Sequence, residues 1–180
     1  MRITENRALA AAVCVICALV SIFGIGGMKL KGEYDDVIYE FVDAGDERHN
    51  IEAYLDRCTG YADELANESM QYLDNDETAQ AVLDYSDALN AKNGPGNDRY
   101  ADFEALTDSV ELLYSKLQEA GKADEPEIEI AYGDYKSACD LIKRDDYYEE
   151  AAVYNDMVSG FPAGMIASMW GVGSADSFGR

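Results

Sequence analysis

The sequence predicts an all-α protein: an N-terminal transmembrane helix followed by an antiparallel bundle of about four long helices. Three observations carry this expectation. Glu, Asp, Ala, Leu and Tyr dominate, and the Val/Ile/Thr alternation of strands is nearly absent. Beyond the N-terminal stretch, apolar residues recur at three- and four-residue spacing, which places them on one face of a helix. The chain also begins with a long, charge-free apolar run. At 180 residues there is room for one domain of ordinary size, and an apolar content of 48% separates the chain from disordered acidic sequences.

From Ala8 to Met28 the chain reads ALAAAVCVICALVSIFGIGGM. About 20 apolar residues in a helix span the hydrocarbon core of a bilayer. The apolar region of a cleavable signal peptide is shorter, roughly 7 to 15 residues. The following FGIGGMKLKG offers no small-x-small cleavage site, and neither Cys14 nor Cys17 sits in a lipobox. Residues 1–7 are therefore a short tail and 8–28 an uncleaved anchor. Arg2 and Arg7 on one side balance Lys29 and Lys31 on the other, so the positive-inside count is a tie. A short leader before a long acidic domain favours a signal-anchor with that domain outside the cytoplasm.

Residues 29–162 form the helical domain. EYDDVIYEFV continues the first helix, with Gly45 as a candidate break. Ile51, Tyr54, Leu55, Cys58, Tyr61, Ala62, Leu65, Tyr72 and Leu73 form the seam of the next, which ends at DNDET. Thr78 begins a shorter helix bearing Val82, Leu83, Tyr85 and Leu89, stopped by Gly94-Pro95-Gly96. Asn97 or Asp98 can cap the following helix, whose seam is Phe103, Leu106, Val110, Leu113, Leu117 and Ala120, closed by Gly121. Pro126 suits the first position of a last helix running through Tyr135, Cys139, Ile142, Ala151, Tyr154 and Val158 to Gly160 and Pro162. Short connections make an antiparallel bundle the simplest packing. The last helix then points back toward the bilayer.

Residues 163–180 are an apolar, Gly-rich tail carrying Met165, Ile166, Met169, Trp170 and Phe178. Three roles are open for it: capping the bundle core, contacting the lipid–water interface that Trp favours, or meeting a protein partner.

Chemistry is harder to find. A net charge of −22, from 36 acidic and 14 basic side chains, argues against nucleic acid, which needs clustered Lys and Arg. His49 is the only histidine, so His-dependent zinc, di-iron and nucleophile–base sites lack their parts. DNDET fails as a calcium loop, because Ala79 and Tyr85 occupy its glycine and glutamate positions. GVGS has no P-loop lysine. Asp145 and Glu149 are a carboxylate pair with nothing to mark them as catalytic. Asn67 begins an NES glycosylation pattern inside a helix. Cys58 and Cys139 can pair only if their helices are neighbours with the two residues at matching height. No enzyme, cofactor or metal is expected.

The C-terminal run resembles the LemA family, bacterial proteins with one N-terminal membrane helix and a helical soluble domain. The family pattern is Tyr-Asn, a Val-like residue, a second Tyr-Asn, five residues and Phe-Pro before a small apolar tail. Here Tyr154-Asn155 is followed by DMVSG and Phe161-Pro162. Tyr147 occupies the first Tyr position, with Tyr148 in place of its Asn and Ala151 at the Val-like position. IEAYLDRCTGYADELA resembles the family's first soluble helix, with Arg57 at an expected basic position and Cys58 where a second is expected. The resemblance implies fold and attachment to the bacterial cell membrane, and no activity. Asn155, a poor helix former and good hydrogen-bonding group, is expected to tie the last helix to a neighbouring helix, with Phe161 plugging the end and Pro162 releasing the chain. The function expected is a membrane-anchored interaction or scaffold module of the cell envelope. Its partners would be the bilayer and an unidentified protein, with a homo-oligomer open. The alternative is an acidic binding module for a cationic ligand, peptide or metal ion.

Overall fold

The structure is a computed structural model that describes residues 7–42, 50–74 and 76–179. Every regular element among them is a helix: α1 (Arg7–Val42), α2 (Ile51–Ser69), α3 (Glu77–Asn90), α4 (Asn97–Glu119), α5 (Pro126–Arg144), α6 (Tyr147–Ser159) and α7 (Ala163–Met169). The chain divides into two compact units. One comprises the chain up to Val37 with Glu150–Ala175, and the other Ile38–Glu149 with the chain from Asp176 onward.

In the larger unit, α2 packs on α5 and α3, and α3 packs on α4. The predicted seams are the buried faces. Leu55, Cys58, Ala62 and Leu65 of α2, Val82 and Leu89 of α3, Leu106, Val110, Leu113 and Leu117 of α4, and Ile128, Ala131 and Tyr135 of α5 are all buried in its interior. Each fully buried Leu or Ile contributes about 1.5–3 kcal/mol by leaving water.

The helix ends are set by local chemistry that periodicity does not report. Asn50 caps α2, its Oδ1 accepting from the Ala53 amide at 2.7 Å while its Nδ2 donates to the Val42 carbonyl at 2.7 Å. Asp76 caps α3 through the Thr78 amide at 2.7 Å, so that helix starts at Glu77 rather than Thr78. The α4 cap is Gly96, not Asn97 or Asp98, and Asn97 is already helical. Its freed Oδ1 accepts from the Ser177 hydroxyl at 3.0 Å. Gly121 follows α4 with φ +67°, a conformation open to glycine at no steric cost. Gly45 and His49 lie outside the described residues.

Several seam assignments change, and Ala120, at the C-terminal cap of α4, is exposed. Tyr72 and Leu73 fall beyond the end of α2 and are half-buried, as is Tyr61. In α3, Tyr85 is exposed and Ser86 occupies the buried slot. The predicted single last helix is two. Asp145 takes an extended conformation with ψ 139°, and its carboxylate accepts from the Tyr147 amide at 2.9 Å, ending α5 and starting α6. An Asp competing with the backbone for its own neighbour's N–H is a routine helix breaker.

The smaller unit joins α1, α6 and α7. Leu30, Ile166, Ala167 and Val172 form its buried cluster, flanked by Phe23, Tyr34, Val158 and Ala163. The segment Leu9–Val42 contains a charge-poor window of mean hydropathy 2.6, none of which is buried, so α1 is long and apolar enough to cross a membrane.

Candidate functional site

The predicted motif residues hold the C-terminal tail. In the smaller unit, Asn155 makes a two-point clasp on Ala175. Its Nδ2 donates to the Ala175 carbonyl at 2.9 Å, and its Oδ1 accepts from the Ala175 amide at 2.7 Å. A primary amide carries one acceptor and two donors, so it can satisfy both backbone groups of one residue. Tyr154 is buried, and its hydroxyl donates to the Gly173 carbonyl at 3.1 Å while its ring tilts against Tyr34 at 5.7 Å. Burial raises the Tyr154 phenol above its ordinary value, which keeps it a neutral donor. In the larger unit, the buried Tyr147 donates to the Asp176 carbonyl at 2.7 Å and meets the edge of Phe41 at 5.0 Å.

The expected role of Asn155 is therefore corrected. It ties α6 to the irregular tail rather than to a neighbouring helix. Phe161 does not plug the end: it is 86% exposed. Pro162 occupies the capping position of α7 and turns the chain into that helix. Arg57 lies on the exposed face of α2 with its guanidinium 5.6 Å from the centre of the Tyr54 ring.

The tail residues separate by environment. Phe178 is buried among aromatic rings, 5.3 Å from Phe41, 5.3 Å from Tyr100 and 6.0 Å from Phe103. Ile166 is buried in the smaller unit, whereas Met165, Met169 and Trp170 stay exposed. Phe178 is thus buried in the larger unit and Ile166 in the smaller one.

Sequence reasoning missed what receives Trp170. Its indole N–H donates to the Phe23 carbonyl of α1 at 2.9 Å. A Cβ on Gly27 would collide with the indole ring, so the glycine forms the notch that admits it. The run FGIGG carried that signal, but glycine in an apolar helix has several uses and no partner was in view.

A second polar feature was also missed. Arg99, 3% exposed, begins the α4 seam one turn before Phe103. Its Nη1 and Nη2 donate to the two carboxylate oxygens of Glu52 at 2.6 and 2.8 Å, and Nη1 also reaches the Gly94 carbonyl at 3.1 Å. A cleft of about 390 Å³ opens beside this pair, lined by Asp56, Thr59, Asp63, Asn90 and Asn93. Burial, then the neighbouring Asp87, hold the Asp63 carboxyl above the usual carboxylate range. A forked ion pair buried this deeply mainly fixes how α2 and α4 meet.

Cys58 and Cys139 meet the geometric condition set for them. Their sulfurs lie 3.5 Å apart between α2 and α5, both buried and both free thiols. The hydrogen bond between them raises Cys58, further raised by burial, and lowers Cys139. Asp145, one of the carboxylate pair with nothing to mark it as catalytic, serves as the cap of α6 with its carboxyl raised by burial. Among the described residues, no group of three or more His, Cys, Asp or Glu side chains is placed to hold a metal ion.

No protein-family model, no curated protein and no solved structure matches this chain.

Proposed function

We propose that this is a LemA-like, single-pass protein of the bacterial cell membrane whose acidic helices form an antiparallel bundle serving as an interaction or scaffold module on the outer side. The observation that carries the proposal is α1: a 36-residue helix whose apolar window, of mean hydropathy 2.6, holds no buried residue, continuing into a domain with a closed aliphatic and tyrosine core. A helix that apolar and that uncovered has no place in water and suits a bilayer. The LemA resemblance is supported by what Tyr154 and Asn155 do in the smaller unit and, separately, Tyr147 in the larger. They give their polar groups to the backbone of Gly173, Ala175 and Asp176 respectively. A fixed motif with that structural task explains its own spacing without any ligand.

Proximity labelling and crosslinking of the anchored protein in its native cells test the proposal, against an unrelated anchored control and a version cut after Gly160. A reproducible protein partner lost on truncation is the expected result. No enrichment over the control would sink the scaffold reading.

The cleft beside Arg99 supports a second function, binding of a cationic peptide or organic cation. Asp56 and Asp63 face it without a basic partner of their own among the described ion pairs, and Glu52 is already engaged by Arg99. Titration of the full chain with oligolysine would decide between the two. Binding that collapses with salt and is lost in Asp63→Asn favours the cleft.

A further inference from the structure

The smaller unit leaves an apolar surface that its own packing does not explain. Phe161 is 86% exposed, Met169 67%, Met165 44% and Trp170 40%. Met165 and Met169 are four residues apart on α7, so they share one face, opposite the buried Ile166 and Ala167. A short helix with a buried aliphatic side and an exposed Met/aromatic side needs a second apolar environment.

Its position says which one. Trp170 donates to the Phe23 carbonyl, and Ile166 comes within ordinary contact of the space above Gly26. Phe23 and Gly26 lie in the last two turns of the uncharged run, before its first charge at Lys29. At 1.5 Å per residue, Phe23 is about 9 Å along the axis on the apolar side of Lys29. The end of an apolar span beside its first charge is where a spanning helix meets the interface, and Trp is enriched at that interface. Ile22, Ile25 and Met28 of α1 are exposed over the same stretch of the helix that Trp170 meets.

We propose that α7 is a second membrane contact. Phe161, Met165, Met169 and Trp170 sit in the boundary between headgroups and acyl chains beside the emerging anchor, and the Asn155 clasp on Ala175 holds the chain that follows. The proposal rests on α1 crossing the bilayer. The attraction is apolar rather than ionic, because the exposed Lys29 and Lys31 of α1 are outnumbered in the same unit by the exposed Asp35, Asp36, Glu150 and Asp156. Anchoring at two points would fix the tilt and rotation of the anchor, which a single apolar helix leaves free.

Trp170 is the only tryptophan, so its fluorescence reports this site alone. The full chain is reconstituted in phosphatidylcholine vesicles, with and without phosphatidylglycerol, and floated through a density gradient. Trp170 emission is then quenched with lipids brominated high on the acyl chain and, separately, with aqueous acrylamide. The expected result is loss of most of the emission to the brominated lipid, little loss to acrylamide, and no dependence on phosphatidylglycerol. The double variant Met165→Asp/Met169→Asp should reverse the two quenchers while the protein still floats. Failure to float would overturn the transmembrane assignment of α1 and this inference with it. Floating protein whose Trp170 answers to acrylamide instead overturns the α7 contact alone. Shielding from both quenchers that grows with the protein-to-lipid ratio would mean that a second copy covers the face, and would equally overturn it.

Discussion

The α2–α5 helices and the C-terminal tail are both apolar-rich, yet they hold themselves together in different ways. In the first region, long helices bury one stripe each, and Leu, Ile and Val side chains do the packing. In the tail, Asn155, Tyr154 and Trp170 reach backbone carbonyls, and a missing side chain at Gly27 makes the room. Hydrophobic packing is non-directional and scales with area. Side chain-to-backbone clasps are directional and fail singly. The two regions should therefore break differently.

The largest effect is expected in the helical core. Leu106 is fully buried in α4, and Leu106→Ala should lower the unfolding free energy of the detergent-solubilised full chain by about 2–5 kcal/mol in urea. A loss below about 1 kcal/mol would mean that the core collapses onto the cavity and is more loosely packed than its burial indicates.

Asn155→Leu comes next and separates the regions most directly. It orphans the Ala175 amide and carbonyl, for a cost of about 1–3 kcal/mol. The loss should be local: faster hydrogen exchange at Ala175 and cleavage within 171–176 by added protease, with the α2–α5 transition little moved. Asn155→Asp keeps an acceptor for the Ala175 amide and should lose less. Equal damage to the α2–α5 transition would show that the tail and the core unfold together.

These differences also explain how much was legible in the sequence. The seams of α2, α4 and α5 could be read because a stripe repeated over several turns leaves a period. The break at Asp145 could not, since one carboxylate choosing the Tyr147 amide over continued helix leaves no period. Tyr154 and Asn155 were recognisable as a motif, but their target is a carbonyl or an amide, and every residue offers those. Arg99 was hidden by its own seam, where a cation among Phe and Leu looks like an exception until Glu52 is placed beside it.

Within the acidic surface, two aspartates should respond to pH with opposite sign. The hydrogen bond from Lys116 holds Asp76 below the usual carboxylate range, helped by the Thr78 amide. A depressed folded value means that Asp76 contributes stability above its unfolded value and loses it as pH falls through the folded one. Asp76→Ala should cost about 1 kcal/mol at neutral pH, as caps do, and the cost should fade in acid. Asp63 is raised, chiefly by burial, so its contribution is present below the unfolded value and lost as pH rises through the folded one. Asp63→Asn should accordingly stabilise the protein near pH 7 and give no gain in strong acid. Parallel urea titrations across pH would show the two variants converging on wild type from opposite sides. Curves that shift in the same direction would refute the assignment of burial as the dominant influence on Asp63.

Arg57 should give the smallest stability effect, and for that reason the sharpest separation of structure from interaction. Its guanidinium rests above the Tyr54 ring on an exposed face, an arrangement worth about 0.5–1 kcal/mol. Arg57→Ala should therefore lower the unfolding free energy in urea by less than Leu106→Ala does. A variant that is nearly as stable as wild type but loses its crosslinked partner would assign Arg57 to the recognition surface of α2. If Arg57→Ala instead costs as much as Leu106→Ala, the residue is part of how the helices pack rather than of a recognition surface.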